Sequence, residues 1–135
     1  MVPKFRAWDK NNKEMISWRH LLNGHNLRNV FMRTEMCGLE LMQSTGLKDK
    51  NGVEIFEGDI LKCTSGIYTN LGATGTGEYE ETIKQVIWKD DSWGTRVISS
   101  NLTSKGAEKS GLVISAKYAE VVGNIYEQPE LQAND

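Results

Sequence analysis

The sequence predicts an all-β (mainly β) fold: a small SH3-like barrel lobe packed with additional N-terminal strands and carrying one or two short helical turns. Three observations predict it. Apolar and polar residues alternate with period two in short runs, as in Lys4-Phe5-Arg6-Ala7-Trp8 and Leu39-Glu40-Leu41-Met42-Gln43. Corners rich in Asn, Asp and Gly separate those runs. Thirteen glycines stand against two prolines, as a chain of short strands joined by tight turns requires.

The elements follow in order. Lys4 to Trp8, the turn Asp9-Lys10-Asn11-Asn12-Lys13 and Glu14 to Trp18 read as strand, corner and strand. Between Arg19 and Gly38 the apolar residues fit no single period, and a strand is expected near Val30-Phe31-Met32. Leu39 to Gln43 alternates, and Ser44-Thr45-Gly46 reads as a turn. In Lys48-Asp49-Lys50-Asn51-Gly52, the Asn-Gly pair tolerates the positive φ of a tight corner. Val53 to Phe56 and Ile60 to Cys63 are strands around Glu57-Gly58-Asp59, with Gly58 at a position a Cβ would strain.

Thr64 to Gly77, with four glycines and many hydroxyls, reads as a mobile loop or wide turn. Thr82 to Trp88 is the next strand, Lys89 to Gly94 a turn, and Arg96-Val97-Ile98 and Leu112-Val113-Ile114 two more strands. Ser115 to Glu120 opens on a capping residue and predicts one helical turn. Val121 to Tyr126 closes the fold as a strand with apolar side chains on both faces, and the tail from Gln132 to Asp135 frays. The chain is then one domain, 1–135, with sub-lobes 1–51 and 52–126 and a tail 127–135.

Composition narrows the classes. Hydrophobic residues at 39% and charged residues at 25% describe a chain that buries a core and does not stay disordered. The formal charge of -2 lacks the basic surplus typical of nucleic-acid binders, although a locally basic face is compatible with it. No apolar run has the length of a bilayer span, and the first residues carry charge where a secretory signal has its apolar core. A cytoplasmic protein with no membrane partner is expected. Cys37 and Cys63 form no CxxC pair and are expected as free thiols, with a disulfide as the alternative.

Four blocks resemble the YopX family, small phage and prophage proteins of Gram-positive bacteria. They are Lys4 to Asp9 with Met15-Ile16; Leu41 to Gly52 with Ile55 to Ile60; Val86-Ile87-Trp88; and Val121 to Glu127 with Pro129-Glu130-Leu131. The resemblance implies a β-rich fold, phage origin and self-association in the cytoplasm of a bacterial host. It implies no activity, cofactor or catalytic residue.

Candidate chemistry is sparse. Asp49, Glu57 and Asp59 would offer oxygen ligands to a divalent cation, but Asp at corners more often bonds the backbone ahead of it, and the spacing of a calcium loop is absent. His20 and His25 lack the four-residue spacing of a helical zinc pair, and even with Cys37 they are better read as surface histidines. Gly72 to Gly77 is followed by acidic residues and Gly106 to Ser110 has Glu108 before its lysine, so neither is a phosphate loop. No Gly-x-Ser-x-Gly elbow anchors a hydrolase. No catalytic, cofactor or metal residue is therefore expected.

The tryptophans carry most of the interest. Trp8, Trp18, Trp88 and Trp93 lie near Lys4, Arg6, Lys89 and Arg96 in sequence, and serve as core, as subunit anchors or as base-stacking platforms. Trp8 and Trp88 end alternating strands and are expected in the core; Trp93, in the acidic turn, is expected at the surface. Trp93, Lys89, Arg96, Val122 and Tyr126 make the expected interaction surface. The expected protein is a non-enzymatic phage or prophage accessory protein that forms homo-oligomers and binds a host or phage macromolecule. A nucleic-acid-binding small barrel is the alternative, and a metal-dependent enzyme using the acidic turn residues a second.

Overall fold

The computed structural model describes residues 3–32, 34–69, 74–101 and 104–131. It is a mostly β structure of two antiparallel sheets, one a half-barrel, with a few short helices.

The first sheet has the order β2-β1-β3-β4. Strands β1 (Phe5–Asp9) and β2 (Glu14–Ile16) form the expected hairpin, with Trp8 opposite Met15. The Asp9 carboxylate closes it, accepting from the amides of Asn11 at 3.0 Å and Asn12 at 3.1 Å. Strand β3 (Leu39–Lys48) pairs with β1 along its first half and with β4 (Glu54–Phe56) along its second. The turn expected at Ser44-Thr45-Gly46 is instead an irregularity inside β3, where Gly46 has φ +77°. The hydroxyls of Ser44 and Thr45 accept from the amides of Gly46 and Leu47, both at 3.1 Å, so the chain bends without leaving the sheet.

Three short helices cover one face of this sheet, α1 (Trp18–Gly24), α2 (Leu27–Met32) and α3 (Thr34–Cys37). They replace the strand expected at Val30 to Met32, and Trp18 belongs to α1 and not to the hairpin. Two caps decide this. Ser17 accepts from the His20 amide at 3.3 Å, and Asn26 accepts from the Asn29 amide at 3.3 Å. The helical pattern restarts at each cap, so no single period shows in the sequence. Leu21 and Val30 are buried against Ala7 and Leu39, with Phe5, Trp18 and Leu41 around them.

The second sheet has the order β8-β7-β6-β5-β9. Strands β5 (Asp59–Thr69), β6 (Thr74–Lys89), β7 (Ser92–Ser100) and β8 (Glu108–Ser110) form a meander, and β9 (Ala119–Asn124) returns to pair with β5. A Gly-Asp-Ile entry, a meander, a helical turn and a closing strand on the first strand are the SH3-like layout expected for this lobe. Gly58, at φ +85°, makes the entry, and a Cβ there would touch the Ile125 side chain at 3.5 Å. The sheet core is Ile55, Leu61, Val86, Leu112, Ala116 and Ala119.

Several expectations for this half are corrected. Much of the loop expected at Thr64 to Gly77 is paired, with Thr69 opposite Thr74 and Tyr68 opposite Gly75, because Thr, Ile and Tyr favour extended backbone; residues 70–73 lie outside the described residues. Leu112-Val113-Ile114 is not a strand but a helical turn, α4 (Leu112–Ser115), running into a 3-10 turn at Ala116–Tyr118. Gly111 opens it at φ +86°, and only Leu112 of the three apolar residues is buried, as a helical turn allows. The last strand ends at Asn124, whose Oδ1 accepts from the amides of Tyr126 at 3.0 Å and Glu127 at 2.9 Å and turns the chain away. The tail expected to fray, 132–135, lies outside the described residues.

Candidate functional site

The acidic corner is the first candidate, and the fold uses its carboxylates. Asp49 Oδ1 accepts from the amides of Asn51 at 2.8 Å and Val53 at 2.9 Å, and Oδ2 from the amide of Val121 at 2.9 Å. Burial pushes this carboxyl up, but the three amides and Lys50 outweigh it and hold it below the usual range. Asp59, 1% exposed, pairs with Arg6 and accepts from the Phe56 amide at 2.8 Å. Burial pushes Asp59 up, and Arg6 and the Phe56 amide pull it only part of the way back. Glu57 bonds the Gln43 carbonyl through its own amide. Among the described residues, no group of three or more His, Cys, Asp or Glu side chains could hold a metal ion.

His20 and His25 are exposed, and the His20 ring lies 3.4 Å from the Ser17 hydroxyl. Both cysteines are free thiols. Cys37 is exposed, while burial pushes the Cys63 thiol up and Lys84 only partly opposes it. Among the described residues, no helix is long and apolar enough to cross a membrane.

The aromatic residues do assemble a surface, although not the one the sequence pattern pointed to. Trp88 and Trp93 are cross-strand partners on β6 and β7, their rings edge to face with centroids 4.9 Å apart. The expected burial is reversed. Trp93 packs half-buried against the sheet core, which includes Leu112 and Ala116 of the helical turns, and Trp88, in contact with Trp93, is 52% exposed. Trp8 is half-buried, stacked on Tyr126 at 6.1 Å, where it joins the two sheets and does not enter a core.

Alternation along β7 places Arg96 on the face opposite Trp93. Lys89 reaches that opposite face too, where it pairs with Glu108 at 3.5 Å. Val122 is exposed at an irregularity of β9, and Tyr126 is half-buried between the sheets. The five residues of the expected surface therefore occupy four different places. A shallow, mainly apolar groove of about 370 Å3 lies beside Trp93, lined by Leu47, Trp88, Trp93 and Val113 together with Asp91 and Ser92. Val113 is 67% exposed and its neighbour Ile114 72%. Sequence reasoning missed Leu47 and Val113. The signal available was the apolar pair Val113-Ile114 after a glycine, which reads as strand when its partner elements are unknown.

A two-sheet β protein with a half-barrel, polar clusters engaged with backbone and an open aromatic groove is the class that these features define. The chain belongs to the YopX family, whose model, described as YopX protein, matches residues 4–132. It is also similar to the crystal structure of protein EF1440 from Enterococcus faecalis, with 27% sequence identity over 97% of this chain and 98% of that one and a TM-score of 0.52. No curated protein matches the chain.

Proposed function

We propose that this YopX-family chain is a non-enzymatic accessory protein of phage or prophage origin, and that it self-associates through the Trp93 groove before engaging a host or phage macromolecule. One observation carries the reading: Trp88 and Val113 expose large apolar side chains at a groove that Leu47 and Trp93 also line. Contiguous apolar surface of this kind on a small domain marks an interaction site. A second copy fits it, because the exposed Val113 stands at the wall of the groove itself, so a twofold axis can bring the Val113 of each copy to the groove of the other. Trp is the residue type most enriched at the energetic centre of such contacts.

Light scattering after size exclusion tests this at micromolar concentration. The native chain is expected as a dimer or larger closed oligomer, and Val113→Asp as a folded monomer with an unchanged circular dichroism spectrum. A native chain that runs as a strict monomer, or a variant that stays assembled, removes this reading.

A further inference from the structure

Net charge conceals a local imbalance at the open end of the first sheet. Lys4, Arg6, Met15, Trp18, Arg19 and Phe56 wall a groove of about 420 Å3. A second hollow of about 380 Å3 shares Lys4 and Glu54 with it and adds Gln43 and Lys48, so the two adjoin at those residues as the halves of a trough. Arg6 is neutralised by Asp59 and its guanidinium lies 4.6 Å from the Phe56 ring centre, so it forms a flat floor and contributes no net charge. Glu54 accepts from the Ser44 hydroxyl. Lys4, Arg19 and Lys48 are exposed, and none of them is in an ion pair among the described residues.

We propose that this trough binds single-stranded nucleic acid, with phosphates on Lys4, Arg19 and Lys48 and bases against Trp18 and the stacked Arg6–Phe56 pair. Cations spaced along a concave wall follow a flexible backbone, and a planar floor between them accepts any base by its π-face. A duplex offers no free base faces to such a floor and is too wide for a trough of this size. An acidic peptide would satisfy the cations and leave the flat surfaces without a partner. The trough ends beside Leu47, which also lines the Trp93 groove, but its cations and its aromatic floor lie outside that groove. The inference is independent of self-association.

Fluorescence anisotropy of a labelled oligothymidine of about twelve nucleotides, titrated with the full chain, tests it. Three phosphate contacts predict a slope of log affinity against log salt of about −2, or roughly a twentyfold loss between 50 and 200 mM. Lys4→Ala/Arg19→Ala alters only exposed side chains; it is expected to weaken binding about tenfold or more and to reduce the slope to about −0.7. A duplex of the same length is expected to bind at least about tenfold more weakly. Absence of binding at 50 mM salt, an unaltered affinity in the double variant, or equal competition by a polyglutamate peptide would each overturn the proposal.

Discussion

Arg6 and Asp59 show what a charged residue does when the fold encloses it. Asp59 stands at the corner where the first sheet passes into the second, and Arg6 reaches it from β1 across 53 positions of sequence. Replacing Arg6 by Met leaves a carboxylate 1% exposed without a countercharge, and an expected cost of about 3 to 5 kcal/mol. Burial already raises the Asp59 pKa, so the folded state holds its proton more tightly than the unfolded state, and stability falls as pH rises through that raised value. The Arg6→Met deficit should therefore be smallest in acid and grow toward neutrality. Adding Asp59→Asn should recover part of it. Urea unfolding across pH checks both points, and a deficit that does not vary with pH would contradict the account.

Asp49 carries the opposite sign. Its pKa is lowered, so its contribution is present above the unfolded value of 3.8 and disappears as pH falls through the lower folded value. Asp49→Asn keeps one acceptor for Asn51 and Val53 but turns an NH2 toward the Val121 amide. It should cost about 1 to 3 kcal/mol at neutral pH. The gap between variant and native chain should narrow below about pH 3.8. An identical gap from pH 7 to pH 3 would show that the carboxylate is not what Val121 needs.

At the scale of elements, the local corners were legible in sequence and the helices were not. Asp9, Gly58 and the Oδ1 of Asp49 make their turns within a few residues of themselves, and that chemistry needs no distant partner to be recognised; the Asp49 bond to Val121 does. Val113 and Ile114 have the same composition in a strand as in an exposed helical turn; what chooses between them is the burial of Leu112 under the sheet, a long-range fact. Strand β8 escaped notice for a similar reason, since Glu108-Lys109-Ser110 is polar and exposed and becomes a strand only by pairing with Gly94 to Arg96. Gly94 makes that pairing close. A Cβ there would stand 2.5 Å from the Lys109 carbonyl oxygen, which is backbone and cannot swing aside. Gly94→Ala is expected to cost about 1 to 3 kcal/mol and to speed amide exchange across 108–110. Unaltered exchange in β8 would mean that the edge strand tolerates the displacement.

For the molecule as a whole, family resemblance and element order together conveyed the fold class, and the mainly β content with a half-barrel is where they agree with the structure. The candidate surfaces were harder to foresee, because each draws on residues far apart in sequence: Leu47 with Trp93 and Val113 in one case, Lys4 with Arg19 and Phe56 in the other. Alternation tells which residues share a face of one strand. It does not tell which faces meet.

Strand β9 lies between two segments that precede it by many residues. On one side it pairs with β5, and on the other the Lys50 amide donates to the Ala119 carbonyl while Asp49 holds the Val121 amide. Neither contact can form until the polypeptide has been made past Ala119 and Val121. During translation β5 therefore waits for a partner strand that is made well after it. Closure of this sheet requires synthesis to have passed β9, and a chain truncated before Ala119 would leave that edge of β5 without its partner strand.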